Sequence, residues 1–254
     1  MMRPLDKGSC PTDDSGCQIA VTGHAFWRRT LIGRIGCYCA YCNMPLSDNL
    51  QVEHVVPKHP PAGYAQGDPL KWDNMLLACG PCNKAKDNTP IDFDDYYFPE
   101  NNNTLLPFQI RIHPEHADAA IVQKAEGLTL IQQGKAEKTI ALLGLATIDR
   151  RNNIVDIRWK KRKEAIIAVN TAFELYQQLS EKIGNALIAI PHLVQSAKHV
   201  GFFGLWFEKF KNEPEVIQAF LNPDMIPGTA QECFDATDGY KPQYRNRNRA
   251  IDPI

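Results

Sequence analysis

The sequence lacks long apolar runs. Nothing in its 254 residues approaches the roughly 18–20 consecutive apolar residues that cross a bilayer as a helix, so no membrane partner is expected. It also lacks an excess of either charge: 28 Lys and Arg against 29 Asp and Glu leave a formal net charge of −1. That excludes whole-chain electrostatic coating of a polyanion, and any such contact has to come from local patches. The opening stretch MMRPLDKGSCPTDD has no apolar centre of the kind a secretory signal needs, and a cytoplasmic location is the expectation. Internal repeats and low-complexity tracts are missing too, which excludes solenoids and disordered tails as the main architecture. What is present is ordinary: 44% hydrophobic and 22% charged residues, enough to bury a core.

Cysteine is the exception. Eight are spread along the chain, and four of them form two C-x-x-C pairs, Cys39/Cys42 and Cys79/Cys82. In a chain of this length with no export signal, such pairs point to metal before disulfide. Each pair wraps one side of an ion, and a four-sulfur tetrahedron suits Zn²⁺, which takes thiolate without redox chemistry. A site filled by four thiolates is structural. Cys10, Cys17, Cys37 and Cys233 have no partner spacing and read as free thiols.

Around these pairs the chain reads as short elements. Thr22–Ile35 suits a short helix with Thr22 as N-cap. Met44–Leu46 and Leu50–Val56 read as two strands joined by a turn at Ser47-Asp48-Asn49. Pro57, Pro60, Pro61 and Pro69 with Gly63 and Gly67 mark a loop, and a helix follows from Cys79-Gly80 to Lys86. Beyond Pro90, Leu105–Ile112 and roughly Ile121–Ile131 read as strands, the second turned at Glu126-Gly127. Helices are expected over Lys135–Leu143, Asp149–Glu181, Asn185–His199 and Phe202–Leu221. Val155, Trp159, Ile166, Val169, Phe173 and Tyr176 form one apolar stripe on the longest of them.

The polar residues beside the cysteines carry the chemistry. Glu53-His54 ends the second strand, Asn74 lies 20 residues on, and Asn83 directly follows Cys82. Hydrolysing a phosphodiester needs an activated water, a cation to offset charge on the phosphate, and donors that align the reactants. Neutral imidazole is a natural base for that water near pH 7, and carboxylate and amide oxygens suit Mg²⁺ or Mn²⁺. The run CAYCN…VEHVVPK…WDNMLLACGPCNKAK resembles the HNH endonuclease family over about residues 37–90. The resemblance implies a ββα-metal fold braced by structural Zn²⁺ on Cys39, Cys42, Cys79 and Cys82. It implies His54 as general base, Asn74 as the residue that orients it, and Glu53 and Asn83 as ligands of a catalytic Mg²⁺ or Mn²⁺. Glu53 stands where many members have Asp or His, and Asn83 replaces the final His of the motif's name.

DNA is the expected substrate. Lys58 and Lys86, near the motif, and Arg158, Lys160, Lys161 and Arg162, in a basic cluster on the long helix, are candidate phosphate contacts. The opening MMRPLDKG, the segment WDNMLLACGPCN and IPGTAQECFD at Ile226–Asp235 are similar to HNH components of Septu-type and retron-associated phage-defence systems. That implies an ABC-type ATPase as partner. The expected fold class is α+β: an irregular lead with a short helix (1–36), a zinc-braced ββα-metal nuclease core (37–90), and a mainly α-helical C-terminal region (91–254) for partner or DNA docking. A zinc-stabilised module that binds nucleic acid or protein without chemistry is the alternative reading.

Overall fold

In the N-terminal third, side chains rather than long periodic runs fix the ends of the elements. The structure is a computed structural model that describes residues 2–47, 50–249 and 251–254. After an irregular lead, a 3-10 turn over His24–Trp27 runs into α1 (Arg28–Ile35). Thr22 is not the cap: Gly23 precedes the turn and no side chain closes it. Trp27, Leu31 and Ile35 recur every fourth residue and are all buried, so one face of this segment seals the core.

β1 (Gln51–His54) pairs antiparallel with β2 (Met75–Ala78), in a register from Gln51↔Ala78 to His54↔Met75. The expected partner, Met44–Leu46, instead contributes one bridge, Tyr38↔Pro45. The turn expected at Ser47-Asp48-Asn49 falls at Asp48 and Asn49 outside the described residues. Met75–Ala78 escapes a sequence reading because all four of its residues are buried, which erases the alternation that marks a strand. α2 (Gly80–Lys86) follows at once, with Cys79 as N-cap and Pro81 in the first turn, where a missing N–H costs nothing.

The remaining elements wrap this unit. β3 (Phe108–Ile112) and β4 (Ala120–Lys124) form an antiparallel pair. α3 (Leu130–Leu142) begins five residues before the expected Lys135, because Thr129 and Gln132 make a reciprocal capping box. α4 (Arg158–Ile183) begins nine residues after the expected Asp149. Asp149 accepts from the N–H groups of Arg151, Val155 and Asp156, and Asp156 accepts from that of Arg158. These side-chain acceptors hold 149–157 as a loop and leave Val155 exposed instead of on the stripe.

A short turn at Ala186–Ala189 leads into α5 (Ile190–Val200), and the expected 202–221 helix is two, α6 (Phe203–Lys209) and α7 (Pro214–Leu221). A small hairpin of β5 (Phe234–Asp235) and β6 (Lys241–Pro242) ends the series. α4 packs against β4 and α6. Between α5 and α6 the chain presses on the first cysteine pair. Gly201, at φ +68°, sits where an added Cβ would lie 2.4 Å from the Asn43 carbonyl oxygen, and Phe202 N–H donates to that oxygen at 2.9 Å. Only glycine fits there. The far C-terminal segment also returns to the N-terminal lead: Leu5 bridges Thr229, and Arg3 donates to the carbonyls of Ile35 and Pro227. No helix among the described residues is long and apolar enough to cross a membrane.

Candidate active site

The four paired cysteines converge. The Sγ atoms of Cys39, Cys42, Cys79 and Cys82 all lie within 4.8 Å of one another, and all four residues are buried. Cys42 and Cys79 Sγ are 3.8 Å apart. A tetrahedron with Zn–S bonds of about 2.3 Å has an edge of about 3.8 Å, so the cluster has the size that a tetrathiolate zinc site requires. Burial pushes the Cys82 thiol well above its ordinary value when no cation is there. A bound Zn²⁺ reverses this by taking thiolates directly. The cluster ties the turn after α1 to the N-terminus of α2.

His54 ends β1 and is half-buried, with its ring 4.9 Å from that of His24. Its Nε2 lies 3.1 Å from the Pro69 carbonyl oxygen. A carbonyl only accepts, so in the neutral ring Nε2 carries the proton and Nδ1 keeps a lone pair. Burial holds His54 below the usual histidine range; Lys58, Lys86 and His59 add to this, and the Pro69 bond partly opposes it. The ring is therefore the free base at neutral pH. Asn74 fixes the backbone just past it. Its Oδ1 accepts from Val56 N–H at 2.7 Å, and Nδ2 donates to the carbonyls of Val56 and Asp68, each at 3.0 Å. Gly67 permits this closure, since an added Cβ would fall 2.1 Å from the Val56 oxygen and 2.6 Å from Asn74 Nδ2.

Glu53 and Lys86 depart from expectation. Lys86 Nζ lies 2.8 Å from Glu53 Oε1, and both side chains are 1% exposed. Tyr41 donates to Glu53 Oε2 at 2.7 Å. Lys86 is thus the buried counter-ion of Glu53 at the cleft lining. Glu53 Oε2 is hydrogen-bonded, whereas Oε1 faces the Lys86 ammonium and, among the described residues, has no hydrogen-bond partner, so a cation at this carboxylate would compete with that ammonium. Glu53 and Lys86 nonetheless line the same cleft as His54 and Asn83, although each side chain is 1% exposed. Burial raises the Glu53 carboxyl above its ordinary value, with Lys86 and Tyr41 pulling it back. Asn83 donates from Nδ2 to Gln51 Oε1 at 2.8 Å, which leaves its carbonyl oxygen for another partner.

His54, Asn83 and Lys58 line one cleft of about 1430 Å³. The 144–156 loop supplies its far wall, with Arg150 and Arg151. Arg150 is held by Asp118 in a two-pronged pair at 3.0 and 2.8 Å, and Arg151 by Asp149. Lys160 and Lys161 are exposed but do not line the cleft, and Lys161 pairs with Glu164 at 2.8 Å. Arg158 and Arg162 are corrected: at 2% and 0% exposed they are buried instead of displayed on the helix surface, Arg158 at the cleft lining and Arg162 away from it. Sequence reasoning missed His24 and Lys84, which also line the cleft. Lys84 neighbours Asn83 and could have been found by that adjacency, whereas no local spacing singles out His24.

Residues 39–89 match the HNH endonuclease family. This segment is an HNH nuclease domain. Across 66 residues the chain is 38% identical to the CRISPR-associated endonuclease Cas9 of Corynebacterium diphtheriae, a stretch covering 26% of this chain and 6% of that protein. The chain therefore spans only a small part of the curated relative it matches. No solved structure matches. The HNH match ends just past α2, so α3 to α7 lie outside it.

Proposed function

We propose that this HNH domain hydrolyses DNA phosphodiester bonds, with His54 as the general base, and that the tetrathiolate cluster holds structural Zn²⁺. The observation that carries the reading is His54 itself: a neutral imidazole, pinned through Nε2 with no described partner at Nδ1, in a cleft of about 1430 Å³ that Lys58 and Lys84 also line. Nδ1 takes the proton of a water as its oxygen attacks phosphorus, and the bond to the leaving oxygen breaks. Asn74 keeps the ring in place through the backbone that it staples. Lys58, Lys84 and Arg151 offer positive charge along the cleft for the backbone on either side.

A divalent cation, Mg²⁺ or Mn²⁺, belongs to the proposal as the group that offsets charge on the phosphate. The Asn83 carbonyl is the uncommitted oxygen suited to it, and Glu53 could join only if Lys86 were displaced. The proposal extends to an anti-phage role with an ABC-type ATPase. What supports that extension is that two segments carrying the sequence resemblance, the described part of the opening (2–8) and 226–235, lie against each other through the Leu5–Thr229 bridge and the Ala230 N–H to Pro4 bond.

The test is cleavage of supercoiled plasmid by the full chain with Mg²⁺, Mn²⁺ or EDTA, alone and with the ATPase and ATP. His54→Ala should lower the rate about 10²–10⁴-fold while zinc content is unchanged. Cleavage at the wild-type rate by that variant overturns the assignment.

A further inference from the structure

Two buried guanidinium groups share one face of α4, and one of them lacks an ordinary explanation. Arg162 is 0% exposed, and its Nε, Nη1 and Nη2 have no hydrogen-bond partner among the described residues. A guanidinium offers five N–H donors and stays charged, so burying one without an acceptor is among the costliest arrangements a fold can hold. Arg158, four residues earlier and therefore on the same face of α4, is 2% exposed and donates from Nη1 to Cys82 Sγ at 2.9 Å. Its other contacts are the Leu143 and Gly144 carbonyls and Asp156, so its one bond into the cysteine cluster is to sulfur. Burial opposes the charge on Arg162 and the neighbouring Arg158 adds to that, while Cys42, Cys82 and Asp156 favour it.

We propose that Arg158 and Arg162 are the counter-ions of the metal centre: four thiolates and one divalent ion sum to a charge of −2, and α4 supplies two cations against it. This rests on the reading that zinc occupies the cluster. The consequence lies outside the matched nuclease segment. N–H···S bonds draw charge from thiolate sulfur and set how tightly the ion is held, and outer partners of metal ligands typically change affinity 10–100-fold when removed. The ion thereby ties the long helix to the HNH domain, because α4 buries its cations only where the anionic centre exists. Without metal, four neutral thiols would face Arg158, which Asp156 pairs, and the unpartnered charge of Arg162. The pair thus makes docking of α4 conditional on metal. It also accounts for two arginines of a basic cluster being buried instead of displayed on the helix surface.

The experiment uses the full chain under reducing conditions, with zinc measured by elemental analysis and its affinity by competition against a chromophoric chelator. Arg162→Met should weaken zinc binding at least tenfold, and Arg162→Lys, which keeps the charge, should recover most of the loss. The sharper readout is a change of sign. Arg162→Met should lower the Tm of the zinc-loaded protein, yet raise that of the metal-stripped protein, where the charge is a burden. A packing role alone would lower both. Zinc affinity within threefold of wild type, or equal Tm losses with and without metal, overturns the proposal and leaves the zinc site standing. Wild-type protein that retains no zinc removes both. If Arg162→Met does not fold, Arg158→Lys and Arg162→Lys decide: zinc retained supports the counter-ion role, and zinc lost as in Cys82→Ser overturns it.

Discussion

Lys86→Met tests how the site is built, because it removes one charge from a pair that solvent does not reach. Glu53 and Lys86 are each 1% exposed and 2.8 Å apart. Breaking such a pair leaves the remaining charge buried without compensation, which costs about 3–5 kcal/mol, far above the ~0–1 kcal/mol of a surface pair. The methionine keeps most of the stem volume, so packing changes little. The pH dependence has a definite sign. Burial already holds the Glu53 carboxyl above its ordinary value, and Lys86 is the largest force pulling it down. In the variant the folded-state value rises further. A carboxyl raised on folding favours the folded state below its unfolded pKa, and that contribution is lost as pH climbs through the folded value. The deficit of Lys86→Met against wild type should therefore be small near pH 5 and fully developed near pH 8. Urea denaturation of the zinc-loaded chain at both values measures it. A loss below about 1 kcal/mol near pH 8, or one that grows toward acid, would refute the reasoning. So would a double-mutant cycle with Glu53→Gln that shows no coupling.

Two further outcomes follow from the geometry around His54. Asn74→Ala strands the Val56 N–H and two carbonyls, and should cost about 2–3 kcal/mol by denaturation while lowering cleavage through a looser imidazole; full activity would separate Asn74 from the base. The cleavage rate should rise with pH as His54 loses its proton, with a midpoint below the ordinary histidine value of 6.5 because burial favours the neutral ring. A rate profile with its midpoint above about 7 would contradict the neutral-base assignment.

The parts of the fold legible in the sequence are those that a local rule dictates. The four cysteines could be assembled from their spacing because a tetrathiolate site needs two short brackets and little else. α2 could be placed between Cys79 and Lys86 because a proline in its first turn marks the start. β2 is hidden because burial on both sides of Met75–Ala78 leaves no alternation, and the more visible Met44–Leu46 takes its place in a sequence reading. The start of α4 lies later than periodicity suggests because Asp149 and Asp156 satisfy backbone donors that a helix would otherwise use, a competition that depends on where those carboxylates sit. The inward turn of Arg158 and Arg162 is invisible for a related reason. A basic run on a helix says which faces carry charge, but the anionic partner lies 76 residues from Arg158, at Cys82.

Whether Glu53 belongs to a catalytic cation or to the scaffold can be decided by one comparison. Gln51 and Glu53 lie on the same face of β1, and they meet Asn83 and Lys86 on the same helix, so strand and helix are joined by two polar rungs. If that ladder is scaffolding, Glu53→Gln removes charge from Lys86 and lowers stability by a few kcal/mol, yet leaves the concentration of Mg²⁺ needed for half-maximal cleavage within about threefold. If instead the carboxylate swings to a cation when substrate binds, the same variant raises that concentration tenfold or more, and Lys86→Met lowers it by freeing the oxygen that the ammonium holds. Uncommitted ligand oxygens bind an ion without first breaking a pair, whereas Glu53 must surrender a contact between two groups that are each 1% exposed. On that ground the expected result is an unchanged Mg²⁺ requirement in Glu53→Gln, with the loss confined to stability. A tenfold increase measured in still-folded protein would return Glu53 to the metal.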